Sequence, residues 1–251
     1  MNAPDFPRGL ISTLRDAGRV VALTGSGISA ESGVPTFREA QTGLWERYNP
    51  QDLATPEAFA RDPQLVWEWY EWRRDLVLSA EPNQGHRALA ELERRTPDFT
   101  LVTQNVDGLH ERAGSRNTIE LHGSILRSRC SLEGEVVEPG ERDDSVPPRC
   151  PVCGAHLRPD VVWFGEMLPT GALRTASEAA RGCDLFLSVG TSGLVYPAAG
   201  LPYEAVENGA ALVEINPNET PLTPYADYSL RGRAGEVLPV LLREAFEPRT
   251  G

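Results

Sequence analysis

Five groups of residues in this chain have the types and spacing to do chemistry. The first is Gly25-Ser-Gly-Ile-Ser-Ala-Glu-Ser-Gly-Val-Pro-Thr-Phe-Arg38, entered from the apolar run Val20 to Thr24. Gly25, Gly27 and Ala30 have the spacing with which a strand hands over to a dinucleotide-binding helix, since small residues let the backbone approach a phosphate. Read alone, the spacing fits a plain tight turn equally well. The second group is the polar run Gln104-Asn-Val-Asp-Gly-Leu-His110, and the third is Leu121-His-Gly123, with an imidazole that titrates near neutrality. The fourth is Tyr70 with Arg73: at i and i+3 of a helix, a phenol and a guanidinium leave one face and can converge on one anion. The fifth is Cys130 with Cys150-Pro-Val-Cys153, a spacing that suits a metal better than a disulfide.

These groups need a scaffold. Leu10, Ile11 and Leu14 predict a helix over 7–18, before a strand at 20–24. Pro63 starts a helix to about Ser79, with Leu65, Val66, Trp69, Trp72 and Leu76 as its apolar face. Further helices are expected over 83–95, 170–181, 197–208 and 236–243, with strands at 99–103, 118–121, 161–164, 184–189, 211–215 and 228–231. Strands separated by helices predict an α/β fold: a Rossmann-like, doubly wound parallel sheet. Residues 41–80 break the rhythm as a helical insertion, and 124–160 as a zinc-ribbon-like one. The expected division is one catalytic domain over 1–251, with a large subdomain of 1–40, 81–123 and 161–251 and a small one built from the two insertions. In such a sheet the ligand lies beyond the carboxyl ends of the strands. Gln104 to His110, His122, Gly190-Thr-Ser192 and Asn216-Pro-Asn218 all follow expected strands.

The net charge of −12 disfavours unaided binding to DNA or RNA and favours basic protein partners. Four cysteines in 251 residues make no disulfide scaffold. Met1 to Arg8 has neither the basic nor the apolar part of a signal peptide, and no apolar run approaches the ~20 residues that span a bilayer. A cytoplasmic, membrane-free and monomeric protein is expected. Glu46 stands where a dehydrogenase fingerprint puts its ribose-binding acid, which leaves hydride transfer open at this point.

The longer strings decide between these readings. Gly25 to Arg38, Gln104-Asn-Val-Asp107, Leu121-His-Gly123, Val162-Trp-Phe-Gly-Glu166, Gly190-Thr-Ser192 and Val195-Tyr-Pro197 resemble, in order and spacing, the signature of the sirtuins, the NAD-dependent protein-lysine deacylases. The resemblance covers nearly the whole chain; Ser26 stands where the family commonly has alanine. It implies that NAD is consumed, with the acyl-lysine carbonyl oxygen attacking the ribose C1′ as nicotinamide leaves. Asn105 and Asp107 would hold the nicotinamide carboxamide, whose donor and acceptor suit an amide and a carboxylate. Gln104 would bond the ribose, and Thr191, Ser192 and Arg38 would lie near the phosphates or the adenosine ribose. Gly25, Ser26, Gly27, Ala30, Glu31, Thr36, Phe37, Val106, Gly190, Asn216, Pro217, Asn218 and Ala234 complete the implied cosubstrate wall. His122 would be the general base, drawing a proton from a ribose hydroxyl.

The acylated substrate would lie as an added strand along Val162, Trp163, Phe164, Gly165 and Glu166, sandwiched against 193–195, with Trp163 and Phe164 lining its channel. Tyr70, Arg73 and the small Ala54 resemble the Tyr-x-x-Arg class of sirtuins that removes succinyl, malonyl and glutaryl groups. The family's structural zinc is held by two Cys-x-x-Cys pairs, whereas the first pair here reads Cys130-Ser-Leu-Glu133. Glu133, or else His156, could complete a site with Cys130, Cys150 and Cys153, or the metal could be lost. Protein ADP-ribosyl transfer and an NAD or ADP-ribose sensing module are the alternatives to deacylation; intact Asn105, Asp107 and His122 speak against the sensor.

Overall fold

The computed structural model describes residues 6–35, 53–138 and 143–247. Thr36, Phe37, Arg38 and Glu46 therefore lie outside the described residues. Nine strands form two sheets among the described residues. The larger is wholly parallel and runs β3 (Thr118–Glu120), β2 (Asp98–Thr103), β1 (Arg19–Thr24), β7 (Leu185–Val189), β8 (Ala211–Ile215), β9 (Tyr228–Leu230). From β1 the chain builds outward through β2 and β3, then returns to the other side of β1 with β7. The order thus reverses between β1 and β7, which is where an open parallel sheet leaves its ligand crevice.

The sheet is covered on both faces because alternate side chains of its strands are both apolar. Val20, Ala22, Leu101, Leu185, Leu187 and Val213 pack against α1 (Arg8–Asp16), α5 (Gln84–Arg95) and α9 (Ala234–Phe246), with Leu10, Leu89 and Leu238 fully buried. Val21, Leu23, Val102, Phe186 and Leu212 pack on the opposite face, against α7 (Thr170–Gly182) and α8 (Leu201–Glu207).

The smaller sheet is antiparallel, with β4 (Gly123–Cys130) between β5 (Val136–Val137) and β6 (Leu157–Val161). The apolar run 161–164 predicts a strand, but the strand ends at Val161 and a turn follows at 164–165. β6 instead extends back through Pro159, which an edge strand tolerates because one side of its backbone needs no partner.

Two short-capped helices precede the large sheet's second strand. α3 (Pro56–Arg61) starts at Thr55, whose hydroxyl accepts from Ala58 N, and α4 (Pro63–Ser79) starts at Asp62, whose carboxylate accepts from Leu65 N. Each has proline in its first turn, where no amide donor is missed. The sequence predicts one apolar face for α4; the structure buries two. Val66, Trp69 and Tyr70 join a core with Ile125, Val161 and Trp163, while Trp67 turns to a second core with Cys130, Val137, Cys150 and Leu157. Trp72 is only partly buried. Arg74 ties the helix to the small sheet by donating from Nε to Ile125 O over 2.8 Å, with its guanidinium over the Trp67 ring.

Candidate active site

The carboxyl ends of β1, β2, β3, β7 and β8 bring the sequence's separate motifs together. At the β1–β7 crevice the glycine-rich turn passes so close to Gly190 that no side chain fits. Gly27 N donates to Gly190 O over 2.9 Å, and a Cβ on Gly27 would sit 2.6 Å from that oxygen. A Cβ on Gly25 would lie 2.9 Å from the Thr191 backbone, and Gly190 itself has φ +60°. The glycines are therefore there for backbone contact, and they leave Ser26, Gly27 and Ala30 exposed. Asn216 donates from Nδ2 to Thr191 O over 2.7 Å and Gln104 from Nε2 to Thr191 Oγ1 over 3.0 Å, so loops after β2, β7 and β8 share one residue. Ser192, Pro217 and Asn218 are exposed beside them, while Ala234 is buried in the first turn of α9.

Glu31 does something the sequence did not reveal. Its carboxylate accepts from Gly235 N over 2.8 Å, capping the start of α9, so it anchors the glycine-rich turn rather than facing a ligand with a free carboxylate. Asn83, the N-cap of α5, ties the same turn from the other side through Nδ2 to Ile28 O and Ser32 Oγ.

Asn105 and Asp107 are 9% and 4% exposed, beneath the turn. Ser29 links them: its hydroxyl donates to Asp107 Oδ2 over 2.7 Å and accepts from Asn105 Nδ2 over 3.0 Å. Asp107 also accepts from Leu109 N over 3.0 Å. Burial raises the Asp107 carboxyl above its ordinary range, while those two donors act to lower it. Behind Ser29 stands His86. Its Nδ1 accepts from Asn83 N, which leaves Nε2–H to donate to Ser29 Oγ over 3.3 Å. His110 packs edge-on against His86 with ring centres 4.8 Å apart. Burial pushes His86 down to about 4 and His110 to about 3, so both rings are neutral at pH 7. Sequence reasoning gave Ser29, Thr24 and Thr103 no role; an inward-facing hydroxyl leaves no mark in a spacing pattern.

His122 lies two residues beyond β3, at the neighbouring strand end. Its Nδ1 is 2.8 Å from the Gln104 carbonyl, which can only accept, so Nδ1 carries the proton and Nε2 keeps its lone pair. Burial lowers its pKa, the carbonyl partly offsetting this. The result is a neutral base, half-buried, with its basic nitrogen set by backbone geometry.

The stretch 162–166 departs from the expected open strand. Val162 N donates to His122 O, Trp163 N to Glu166 Oε2, Phe164 N to Ala54 O and Glu166 N to Trp163 O, at 2.8–3.0 Å. Those amides are spent inside the chain, so a peptide docking here must use carbonyls or Gly165. Glu166 also holds Arg158 through both oxygens, at 2.5 and 2.8 Å, and the Arg158 guanidinium covers the Trp163 ring. Trp163 is thus a clamped interior ring at 2% exposure, while Phe164 is 47% exposed.

Tyr70 and Arg73 do share a face of α4. Trp163 Nε1 donates to Tyr70 Oη over 2.9 Å, and burial pushes the phenol up to about 12 against the nearby Arg73 charge. Burial lowers the Arg73 pKa in turn, its guanidinium lying over the Trp69 ring. Val34, Pro35, Trp72 and Arg73 line one small cavity, which brings Arg73 to the last described residues of the glycine-rich stretch. Ala54 is buried in the same core as Trp163, and its carbonyl accepts from Phe164 N.

The sulfurs of Cys130, Cys150 and Cys153 lie within 4.8 Å of one another, with Cys130 Sγ 3.4 Å from Cys153 Sγ. Tetrahedral zinc with bonds of about 2.3 Å separates its sulfurs by roughly 3.8 Å, so three thiols fit the ion. Glu133 brings its backbone amide, 3.4 Å from Cys130 Sγ; neither its carboxylate nor His156 belongs to the cluster. Cys183 is buried elsewhere, in the large sheet's core.

A crevice at the strand-order reversal, a carboxamide and carboxylate buried under a glycine-rich turn, and an oriented imidazole define a dinucleotide-binding enzyme of the α/β class. The Sir2 family profile matches residues 25–197. "NAD-dependent protein deacylase 1" of Pseudomonas aeruginosa is 55% identical over 247 residues, 95% of this chain and 99% of that protein. "NAD-dependent protein deacylase" of Deinococcus radiodurans is 54% identical over 239 residues, 93% and 97% of the two chains. A crystal structure of a Sir2 homologue–NAD complex superposes with TM-score 0.89 at 50% identity, covering 98% of this chain and 96% of that one. A Sir2 protein bound to acetylated peptide superposes with TM-score 0.85 at 32% identity, covering 94% and 97%. The chain belongs to the Sir2 family.

Proposed function

We propose that this chain, an NAD-dependent protein deacylase, removes succinyl, malonyl or glutaryl groups from lysine, with acetyl-lysine as a parallel or poorer substrate. The observation that carries the acidic-acyl reading is the Tyr70–Arg73 face of α4, packed against the same Trp163 that borders the docking stretch. A guanidinium whose charge burial opposes gains most from an anion brought to it, and a carboxylate can take it bidentately. Ala54 adds no bulk beside that ring.

The chain's residues divide the work. The turn at Gly25 to Ala30 offers backbone to the cosubstrate's phosphates, and Asn105 and Asp107 hold the carboxamide of the leaving nicotinamide. His122 Nε2 takes the proton of a ribose hydroxyl, so that this oxygen can receive the acyl group. The products are nicotinamide, O-acyl-ADP-ribose and free lysine. The three thiols beside the small sheet would hold zinc as a structural fastener.

Mass spectrometry of matched acetyl-, succinyl- and malonyl-lysine peptides, with and without NAD, tests the reading. Arg73→Met should lower kcat/KM for the succinyl peptide about tenfold to a hundredfold, the worth of a charge-assisted hydrogen bond, and spare the acetyl peptide. Equal loss on both peptides would refute the acidic-acyl assignment. Failure to remove any acyl group with NAD present would refute the deacylase reading, and ADP-ribosylated peptide in the same spectra would favour transfer.

A further inference from the structure

The Asn105 pocket has a second support that no contact with ligand would reveal. His110 is 1% exposed and lies too deep to touch a substrate. Its Nε2 is 2.9 Å from Thr24 Oγ1, at the last residue of β1. Thr24 Oγ1 is 2.8 Å from Thr103 Oγ1, at the last residue of β2. Thr103 Oγ1 accepts from the backbone amide of Asn105 over 3.0 Å. His110 of the short helix α6 (Leu109–Ala113), Thr24 and Thr103 at two adjacent strand ends, and Asn105 in the loop after β2 thus form a continuous chain that stops at the Asn105 backbone.

The chain has a direction. His110 Nδ1 is buried with no hydrogen-bond partner among the described residues. If Nδ1 carried the proton, a donor would be buried unsatisfied, and Nε2 would have to accept from Thr24. With the proton on Nε2, only a lone pair is left unused, which is the cheaper loss. Nε2–H then donates to Thr24, Thr24 donates to Thr103, and Thr103 keeps a second lone pair for the Asn105 amide. His86 supports the side chain of Asn105 through Ser29, so His110 supplies the independent hold on its backbone.

We propose that His110 is a positioning residue for the cosubstrate's nicotinamide end: as the Nε2–H tautomer it fixes, through Thr24 and Thr103, the backbone of Asn105 and so the aim of its carboxamide. The inference rests on the Asn105 assignment made above. His110→Leu and Thr24→Val each break the chain while filling the space. Each should raise the nicotinamide concentration for half-inhibition of deacylation by about fivefold, the order expected for one net hydrogen bond. The affinity for ADP-ribose, which lacks the nicotinamide, should stay within about twofold by calorimetry, a readout that general loosening of the fold would move. The double variant should be no worse than either single one, since the chain is already cut. His110→Gln offers a donor in place of Nε2–H and should restore inhibition to near the parent value.

Unchanged nicotinamide inhibition in His110→Leu would overturn the proposal, as would a parallel loss of ADP-ribose affinity or a Gln variant no better than Leu. Asn105→Ala is the control. If it leaves nicotinamide inhibition untouched, the pocket assignment itself falls; if it has a large effect while His110→Leu is silent, only the role of His110 falls.

Discussion

His122, the proposed general base, owes its suitability to its surroundings more than to its residue type. A free imidazole presents either nitrogen, but the Gln104 carbonyl at 2.8 Å takes the Nδ1 proton and leaves Nε2 as the base. His122→Ala should therefore cost about a hundredfold to ten-thousandfold in turnover, the usual share of a positioned general base, at an unchanged melting temperature. The sign of the pH dependence follows from burial. Because the folded pKa lies below 6.5, the neutral base persists to lower pH than a free histidine would. The acid limb of kcat/KM should inflect below pH 6.5, and an inflection above that value would show that burial does not govern this ring. The type and place of His122 were legible in Leu121-His-Gly123, whereas its tautomer was not, since that depends on a carbonyl eighteen positions away in the chain.

Elements meet here through backbone, and the glycine-rich turn is the clearest case. Gly27→Ala would place a methyl 2.6 Å from the Gly190 carbonyl, against backbone with no flexible side chain to yield. Overpacking of that kind costs about 1–3 kcal/mol, so the variant should melt several degrees lower and lose affinity for ADP-ribose more than for acylated peptide. Equal loss of both ligands would point to global unfolding instead. The parallel sheet was readable because its strands are short apolar runs, such as Val20 to Leu23 and Leu185 to Val189, set between helical periods. The small sheet was not. β4 sets Arg127 and Arg129 between buried residues, three of them serine or cysteine, and its arginines reach Glu120 and Asp160 across space, so no apolar run marks the segment as a strand. β6 contains Pro159 and looks like a breaker until its edge position is known. The second buried face of α4 was hidden for a related reason: Trp67 and Arg74 face a sheet that the sequence does not announce.

At the scale of the molecule, α4 and the small sheet are one lever on the site. Trp67 of the helical insertion packs on Cys130, Cys150 and Leu157 of the small sheet, and Arg74 holds Ile125. The same sheet delivers Gly123 beside His122 at one end of β4 and Trp163 just beyond β6. Its own core is small, since few large apolar side chains join Trp67 there, and a zinc ion on the three thiols would supply what such cores lack. Among the described residues the cluster holds three thiols and no carboxylate, so an ion held by these thiols alone would be bound less firmly than in a four-cysteine site. Purified protein should carry about one zinc per chain by elemental analysis, the count a single structural site demands. Chelation should then raise amide hydrogen exchange in β4 to β6 first, leaving β1, β2 and β7 protected, because the parallel sheet has its own two-sided core. Deacylation should fall with that exchange while ADP-ribose affinity, set at the β1–β7 crevice, persists. Loss of protection throughout the chain on chelation, or none in the small sheet, would show that zinc does not fasten this lever.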